Sequence, residues 1–217
     1  MTVVRKLEKL KTILSEAGSA VIALSGGTDS TFLVSVAAGI ESLRVMAVTV
    51  STPYMFSSEV DEAAAFCSEK GVPHRQIGFD IPDTVRMNPP ERCYLCKTEV
   101  MKSINAVAGE EGYAFVFDGT NADDLLDYRP GLRALAEAGV RSPLAEARMT
   151  KNEIRALARA AGLAVSDRPS NTCLLTRFPH GTEMNPDELR RAEKAERIVK
   201  EEGFTGARVR VHGDIVR

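Results

Sequence analysis

Apolar residues recur along this chain in two periods, and the switching between them lays out the architecture. Val4, Leu7, Leu10, Ile13 and Leu14 fall three or four apart among charged residues. That spacing predicts an amphipathic helix, and the interspersed charges exclude a signal peptide. "AVIALSGG" (20–27) is an unbroken apolar run ending in glycines, the pattern of a strand buried on both faces, and "TDSTFLVSVAAGI" continues as helix. "RVMAVTVST" (44–52) and "PHRQIGFD" (73–80) predict a second and third strand. Between them, 57–71 predicts a helix capped by Ser58 and ended by Gly71. The proline-rich "IPDTVRMNPPER" (81–92) predicts an irregular crossing, "YLCKTEVMKSINAVAGEEG" (94–112) a helix, and "AFVFDGTNADD" (114–124) a strand running into a loop.

Farther on, "TKNEIRALARAAGL" (150–163) opens with Thr150 followed three residues later by Glu153, a capping box. "NPDELRRAEKAERIVKEEG" (185–203) predicts a long charged helix. In "ARVRVHGDIVR" (207–217) apolar residues alternate with Arg or His, the sign of a half-exposed strand. Alternation of strand and helix implies an α/β fold, a doubly wound, mainly parallel sheet with helices on both faces. The alternation stops near residue 170, which divides the chain into 1–170 and a small C-terminal α+β appendage, 171–217.

Composition adds exclusions. The 217 residues are 44% hydrophobic and 27% charged, with a net charge of −2. No global positive field draws the chain to nucleic acid, and no basic stripe or RNA-binding module is present. No window reaches the roughly 20 apolar residues of a membrane span. A cytoplasmic location is the expectation, where free thiols and metal clusters are commoner than structural disulfides.

The strongest chemical signal is "LSGGTDS" (24–30), where an apolar strand runs into Ser-Gly-Gly-x-Asp-Ser and then a helix. Its glycines let backbone amides approach an anion, the helix N-terminus adds partial positive charge, and Ser25 and Ser30 can donate hydroxyls. It lacks the lysine and spacing of a Walker A loop. A second cluster lies in "FDGTNADDLLDYRPG" (117–131). Asp118 and Gly119 fall at the mouth of a strand, where open α/β sheets bind ligands. Asn121, Asp123 and Asp124 offer oxygens for magnesium or ribose; Arg129 or Arg133 could meet a phosphate or carboxylate.

Four cysteines remain, Cys67, Cys93, Cys96 and Cys173. Cys67, on the apolar side of the 57–71 helix, reads as a small buried hydrophobe. Cys93 and Cys96 form a CxxC. By themselves this pair and Cys173 fit an iron–sulfur cluster, zinc with His180 as a fourth ligand, a disulfide relayed through a Cys173 persulfide, or plain structural thiols.

The 24–30 loop resembles the pyrophosphate loop (PP-loop) of the adenine-nucleotide α-hydrolases, Rossmann-like enzymes that split ATP between the α and β phosphates. The resemblance implies that Ser25, Gly26, Gly27, Asp29 and Ser30 cradle pyrophosphate, with Asp29 orienting the loop or Mg2+. It also implies that backbone groups at the end of the second strand, from Thr49 to Thr52 and including Thr49 and Ser51, read the adenine. Together with "DYRPGLRALAEAGVRSPLAEA" (127–147) and "SNTCLLTRFPHGT" (170–182), the chain resembles the LarE family of ATP-dependent sulfur transferases over nearly its whole length. That family builds the nickel-pincer nucleotide cofactor. Its pattern continues with further strands past the "DI" near the end of this chain.

Cys173 stands where the family carries its functional cysteine. The three-cysteine branch holds a 4Fe-4S cluster, so the resemblance makes Cys93, Cys96 and Cys173 its ligands, with one iron open for sulfide. It assigns Thr176, Arg208 and Arg210 to a nucleotide phosphate, leaves Arg177 available for the same anion, and makes Glu196 a metal-binding or acid–base carboxylate. The implied reaction adenylates a carboxylate of a pyridinium dicarboxylate mononucleotide and inserts sulfur from a sulfide or other donor. The family also implies a homo-oligomer. Rival readings are a tRNA-thiolating PP-loop enzyme, a cluster-free persulfide relay, an ammonia-using synthetase and a non-catalytic nucleotide- or sulfide-binding protein.

Overall fold

Four parallel strands, β1 (Ser19–Ala23), β2 (Arg44–Ser51), β3 (His74–Gly78) and β4 (Phe115–Phe117), hydrogen-bond in the order β3-β2-β1-β4. The computed structural model describes residues 1–217 except Ser170, Thr205 and Asp214. Helices α1 (Val3–Ala17), α2 (Thr28–Ala38), α3 (Ser57–Lys70), α4 (Asp83–Arg86) and α5 (Arg92–Glu110) precede β4. After it come α6 (Pro130–Glu137), α7 (Pro143–Glu146), α8 (Lys151–Ala160) and α9 (Pro186–Glu201). A small antiparallel hairpin, β5 (Val211–His212) and β6 (Ile215–Val216), lies near the C-terminus.

The unbroken apolar character of β1 follows from burial on both sides. Ala20 and Ile22 enter one core with Leu10 and Leu14 of α1, Phe32 and Leu33 of α2, and Ile154 of α8. Val21 faces a second core with Val48, Val50, and Val100, Met101 and Ile104 of α5. The strand order reverses at β1, with β2 on one side and β4 on the other, so a crevice opens beyond their carboxyl ends. Residues after the βα units do not stand apart. Leu174, Leu175, Phe178, Leu189 and Ala192 form a third cluster with Tyr54, Phe56, Ile81 and Val85, from the loops after β2 and β3.

Several local expectations hold and others shift. Gly71 ends α3 in the left-handed conformation (φ 64°), and the Thr150–Glu153 capping box is complete. Val4, by contrast, is 70% exposed, because the apolar stripe of α1 meets the core only from its second turn. Ser58 does not cap α3. The helix starts at Ser57 with Phe56 at the cap position, and both the N–H and hydroxyl of Ser57 donate to Glu193 of α9 at 2.8 Å. The segment 127–147 contains α6 and α7. The strand expected over 207–217 spans Asp214, which lies outside the described residues; what is described is the β5–β6 hairpin, with Arg210 and Arg217 exchanging backbone hydrogen bonds.

Thr150→Ala removes the cap that starts α8. It should lower unfolding stability by about 1 kcal/mol, read from a chemical denaturation midpoint at unchanged slope.

Candidate functional site

The crevice beyond β1 and β4 deepens into a cavity of about 950 Å³. One wall is the β1–α2 turn. Gly26 adopts φ +75°, and a Cβ there would come within 2.8 Å of the Glu59 carbonyl oxygen, so both the turn and its packing need glycine. Gly27 caps α2 without any side-chain bond, which leaves the first-turn N–H groups of α2 free to meet an anion. The Ser25 and Ser30 hydroxyls lie 3.1 Å apart, and the Ser25 N–H donates to Ser30 Oγ at 3.2 Å. Ser25, Gly27, Thr28, Asp29 and Ser30 all line the cavity.

The β4 end supplies the facing wall. Gly119 packs directly on the start of α2: a Cβ there would sit 2.8 Å from the Ser30 amide nitrogen. Asp118 is buried and already accepts from Ser142 Oγ (2.6 Å), Thr120 Oγ1 (2.6 Å) and the Thr120 N–H (3.2 Å). Its role in the fold is to hold this turn closed. Asn121 Oδ1 accepts the Asp123 N–H at 2.9 Å, and Asp124 pairs with Arg129 at 2.7 Å. Arg129 reaches the cavity, whereas Arg133 stacks on Tyr94 with its guanidinium 3.6 Å from the ring centroid.

Lys151 is a site residue that sequence reading missed. From the first turn of α8 its Nζ meets Asp29 Oδ2 at 2.6 Å, and its backbone N–H donates to Asp123 at 2.8 Å. The PP-loop carries no lysine of its own; this one arrives from 122 residues away. Burial raises the Asp29 carboxyl above the usual carboxylate range against the pull of the Lys151 ammonium. Asp29 Oδ1 is buried without a well-aligned donor, an acceptor left over for a ligand.

The three cysteines of interest line the same cavity, Cys93 and Cys96 from the first turns of α5 and Cys173 from the segment before a 3₁₀ turn at Leu174–Arg177. Tyr54, fully buried, links the two segments. Its carbonyl accepts the Leu174 N–H at 2.9 Å and its hydroxyl lies 3.3 Å from Cys96 Sγ. Asn88, also fully buried, adds a second link, its side-chain N–H groups reaching the carbonyls of Leu175, Phe178 and Pro179. Burial, with the nearby charges of Cys96 and Cys93, pushes the Cys173 thiol up to about 11. Burial raises Cys96 also, opposed by the Tyr54 hydroxyl. Cys67 lies in the core, as its helix position predicted.

Among the described residues, no three His, Cys, Asp or Glu side chains converge to chelate one metal ion, as zinc with its ligands at about 2.3 Å would require. His180 faces Arg92 (2.8 Å) and the Asn88 carbonyl (3.1 Å) instead. A cubane offers three separate irons, so it takes thiolates spaced farther apart than one ion can. Three thiols on one cavity wall, within reach of each other's charge, fit such a group.

Other expected site residues meet partners within the protein. Arg177 is one of them. It is 1% exposed and forks onto Glu196 (Nε–Oε1 2.6 Å, Nη2–Oε2 2.9 Å), while Nη1 donates to the hydroxyls of Thr172 and Thr176 at 2.7 Å. Glu196 also accepts the Val209 N–H at 2.8 Å, so both of its oxygens are engaged within the protein. Thr176 is drawn into this network, and Arg208 and Arg210, on either side of Val209, do not line the cavity. The side chain of Thr49 turns away from it, and Ser51 does not line it. Strand alternation gives Val48 and Val50 to the cavity side and sends the Thr49 hydroxyl to His74 Nε2 at 2.9 Å.

A parallel sheet read at its switch point by a glycine-rich strand–helix turn, without a Walker lysine, defines a PP-loop nucleotide-binding α/β protein. Residues 14–200 match the asparagine synthase family model. Over 219 residues the chain is 33% identical to the pyridinium-3,5-bisthiocarboxylic acid mononucleotide synthase of Lactiplantibacillus plantarum, covering 100% of this chain and 79% of that protein. It is 37% identical over 214 residues to an uncharacterised protein of Synechocystis, covering 98% and 80%. The U34-tRNA thiolase NcsA from Methanococcus maripaludis, solved with its 4Fe-4S cluster, shares the fold (TM-score 0.60, 20% identity, 93% of this chain and 73% of that one). The chain belongs to the LarE family within the PP-loop superfamily and is an ATP-dependent sulfurtransferase.

Arg177→Ala would strand Glu196 as an unpaired buried carboxylate. The expected loss is about 3–5 kcal/mol of stability in urea unfolding, against near-zero for an exposed anion-gripping arginine.

Proposed function

We propose that this enzyme adenylates a carboxylate of a pyridinium dicarboxylate mononucleotide and replaces the activated oxygen with sulfur, in the synthesis of a nickel-pincer nucleotide. The observation that carries this reading is that the ATP loop and the three cysteines open on one cavity. Residues 1–170 would form the ATP-pyrophosphatase unit and 171–217 the sulfur-transfer side, in a cytoplasmic enzyme that assembles from like copies.

ATP lies with its β and γ phosphates on the free N–H groups at the start of α2 and on the Ser25 and Ser30 hydroxyls. A substrate carboxylate oxygen attacks the α-phosphorus, the bond from that phosphorus to the bridging oxygen breaks, and pyrophosphate leaves into the loop. Lys151 balances charge on the departing group. Asp29 Oδ1 and Asp123 are the oxygens that would hold Mg2+, which supplies further neutralisation of the phosphates. The acyl adenylate then loses AMP to a sulfur nucleophile. Cys93, Cys96 and Cys173 would hold a 4Fe-4S cluster, which when bound supplies that sulfur at an open iron position. Tyr54 and Asn88 keep the Cys173 segment against the CxxC helix, and the mainly apolar walls behind it (Val48, Val50, Val100) keep water from hydrolysing the adenylate.

Anaerobic purification should yield about four irons and four acid-labile sulfides per chain, as a cubane requires. Cys93→Ala, Cys96→Ala or Cys173→Ala should each abolish the cluster's visible absorbance and thiocarboxylate formation while leaving ATP binding in place. Full activity in any of the three, or zinc in place of iron, would defeat the reading; thiolation of tRNA instead of the mononucleotide would replace it. Lys151→Ala should slow pyrophosphate release by about 10²-fold, the scale of one lost preorganised electrostatic contact, with iron content unchanged.

A further inference from the structure

The cavity is lined by one acidic residue that the reaction above leaves without a task. Its other carboxylates are engaged within the protein or assigned above to Mg2+. Asp29 pairs with Lys151, Asp118 is closed by Ser142 and Thr120, Asp123 takes the Lys151 N–H, and Asp124 and Asp127 share Arg129. Glu59, in the first turn of α3, is half-buried, and its hydrogen-bond partner is the neutral amide of Asn171 at 3.1 Å. Arg168 and Arg177 act on Glu59 from a distance, but their close contacts go elsewhere, Arg168 to Glu62 and the Gly26 carbonyl, Arg177 to Glu196. Burial is what lifts the Glu59 carboxyl above its ordinary range, so its charge gains from any cation that enters.

Position narrows the role. The backbone of Glu59 packs on Gly26 of the phosphate loop, and its side chain reaches Asn171, two residues before Cys173. It therefore stands between the wall that takes phosphates and the wall that carries the thiols, where the group receiving sulfur must lie. A carboxylate beside an anion site is unfavourable unless positive charge meets it.

We propose that Glu59 is the counter-charge for a cationic ring in the substrate. It makes the site select an N-substituted pyridinium over a neutral ring of the same shape. This deepens, and rests on, the mononucleotide reading above.

The test is calorimetric binding to the full-length chain, with a non-hydrolysable ATP analogue present. The probes are nicotinic acid mononucleotide, whose ring is a pyridinium, and its neutral isostere with a ring carbon in place of the nitrogen. Wild type should favour the cationic probe by about tenfold or more, the scale of one partly screened charge contact. Glu59→Gln should erase that preference while holding the neutral probe as before, and Glu59→Asp should keep part of it. Equal affinity of wild type for both probes, binding of neither, or a preference that survives Glu59→Gln would overturn the inference. A uniform loss for both probes in Glu59→Gln would also overturn it, since that marks a structural role. A wild type that prefers the cation but forms no thiocarboxylate would leave the inference standing and remove the sulfur-transfer reading.

Discussion

A guanidinium shut away from water must find all of its partners inside the protein, and Arg177 sets the shape of the cysteine-bearing segment by doing so. Its donors reach Glu196, Thr172, Thr176 and Asn171, and thereby fix the backbone on both sides of Cys173. Glu196 in turn ties the segment to α9 and, through the Val209 N–H, to the stretch leading into the C-terminal hairpin. A buried pair of this kind contributes little net stability compared with a well-packed apolar pair, but breaking it exposes a large desolvation penalty. What it supplies here is definition: one conformation for a loop that has little regular structure of its own.

Around that loop the site is assembled from pieces distant in sequence. Tyr54 follows β2, Asn88 precedes the CxxC helix, and both hold the segment beyond Cys173. Arg168 reaches the carbonyl of Gly26 and Asn171 reaches Glu59, so the same stretch also touches the phosphate loop. Residues 168–169 and 171–177 thus touch both the phosphate loop and the cysteine-bearing wall. In the proposed reaction ATP activation and sulfur delivery act on one carboxyl group in succession, and proximity of the two walls would spare the reactive adenylate a journey through water.

The phosphate end shows a similar economy. The PP-loop contributes amides and hydroxyls, and its positive charge comes from α8, whose capping box places Lys151 at the first helical position. Gly26 and Gly119 matter as space rather than as flexibility alone: each lets a neighbouring backbone come closer than any side chain would permit.

Much of this was legible in the residues. The apolar run into Ser-Gly-Gly-Thr-Asp-Ser determines a buried strand, a tight turn and a helix, because local sterics and period dictate them. The strand–helix alternation determines the parallel sheet, and the Thr150–Glu153 spacing determines the cap. The same information could not reveal Lys151 beside Asp29, Tyr54 between two cysteine segments, or Glu59 between the two walls, since those contacts join residues far apart in the chain. Nor could it reveal that Arg177 and Glu196 pair in the interior. An arginine and a glutamate nineteen positions apart look like surface charges until folding buries both, and a buried charge must then be spent on its nearest opposite. Local chemistry is written in the sequence; which charges face the cavity and which cancel in the interior is decided only when the chain closes on itself.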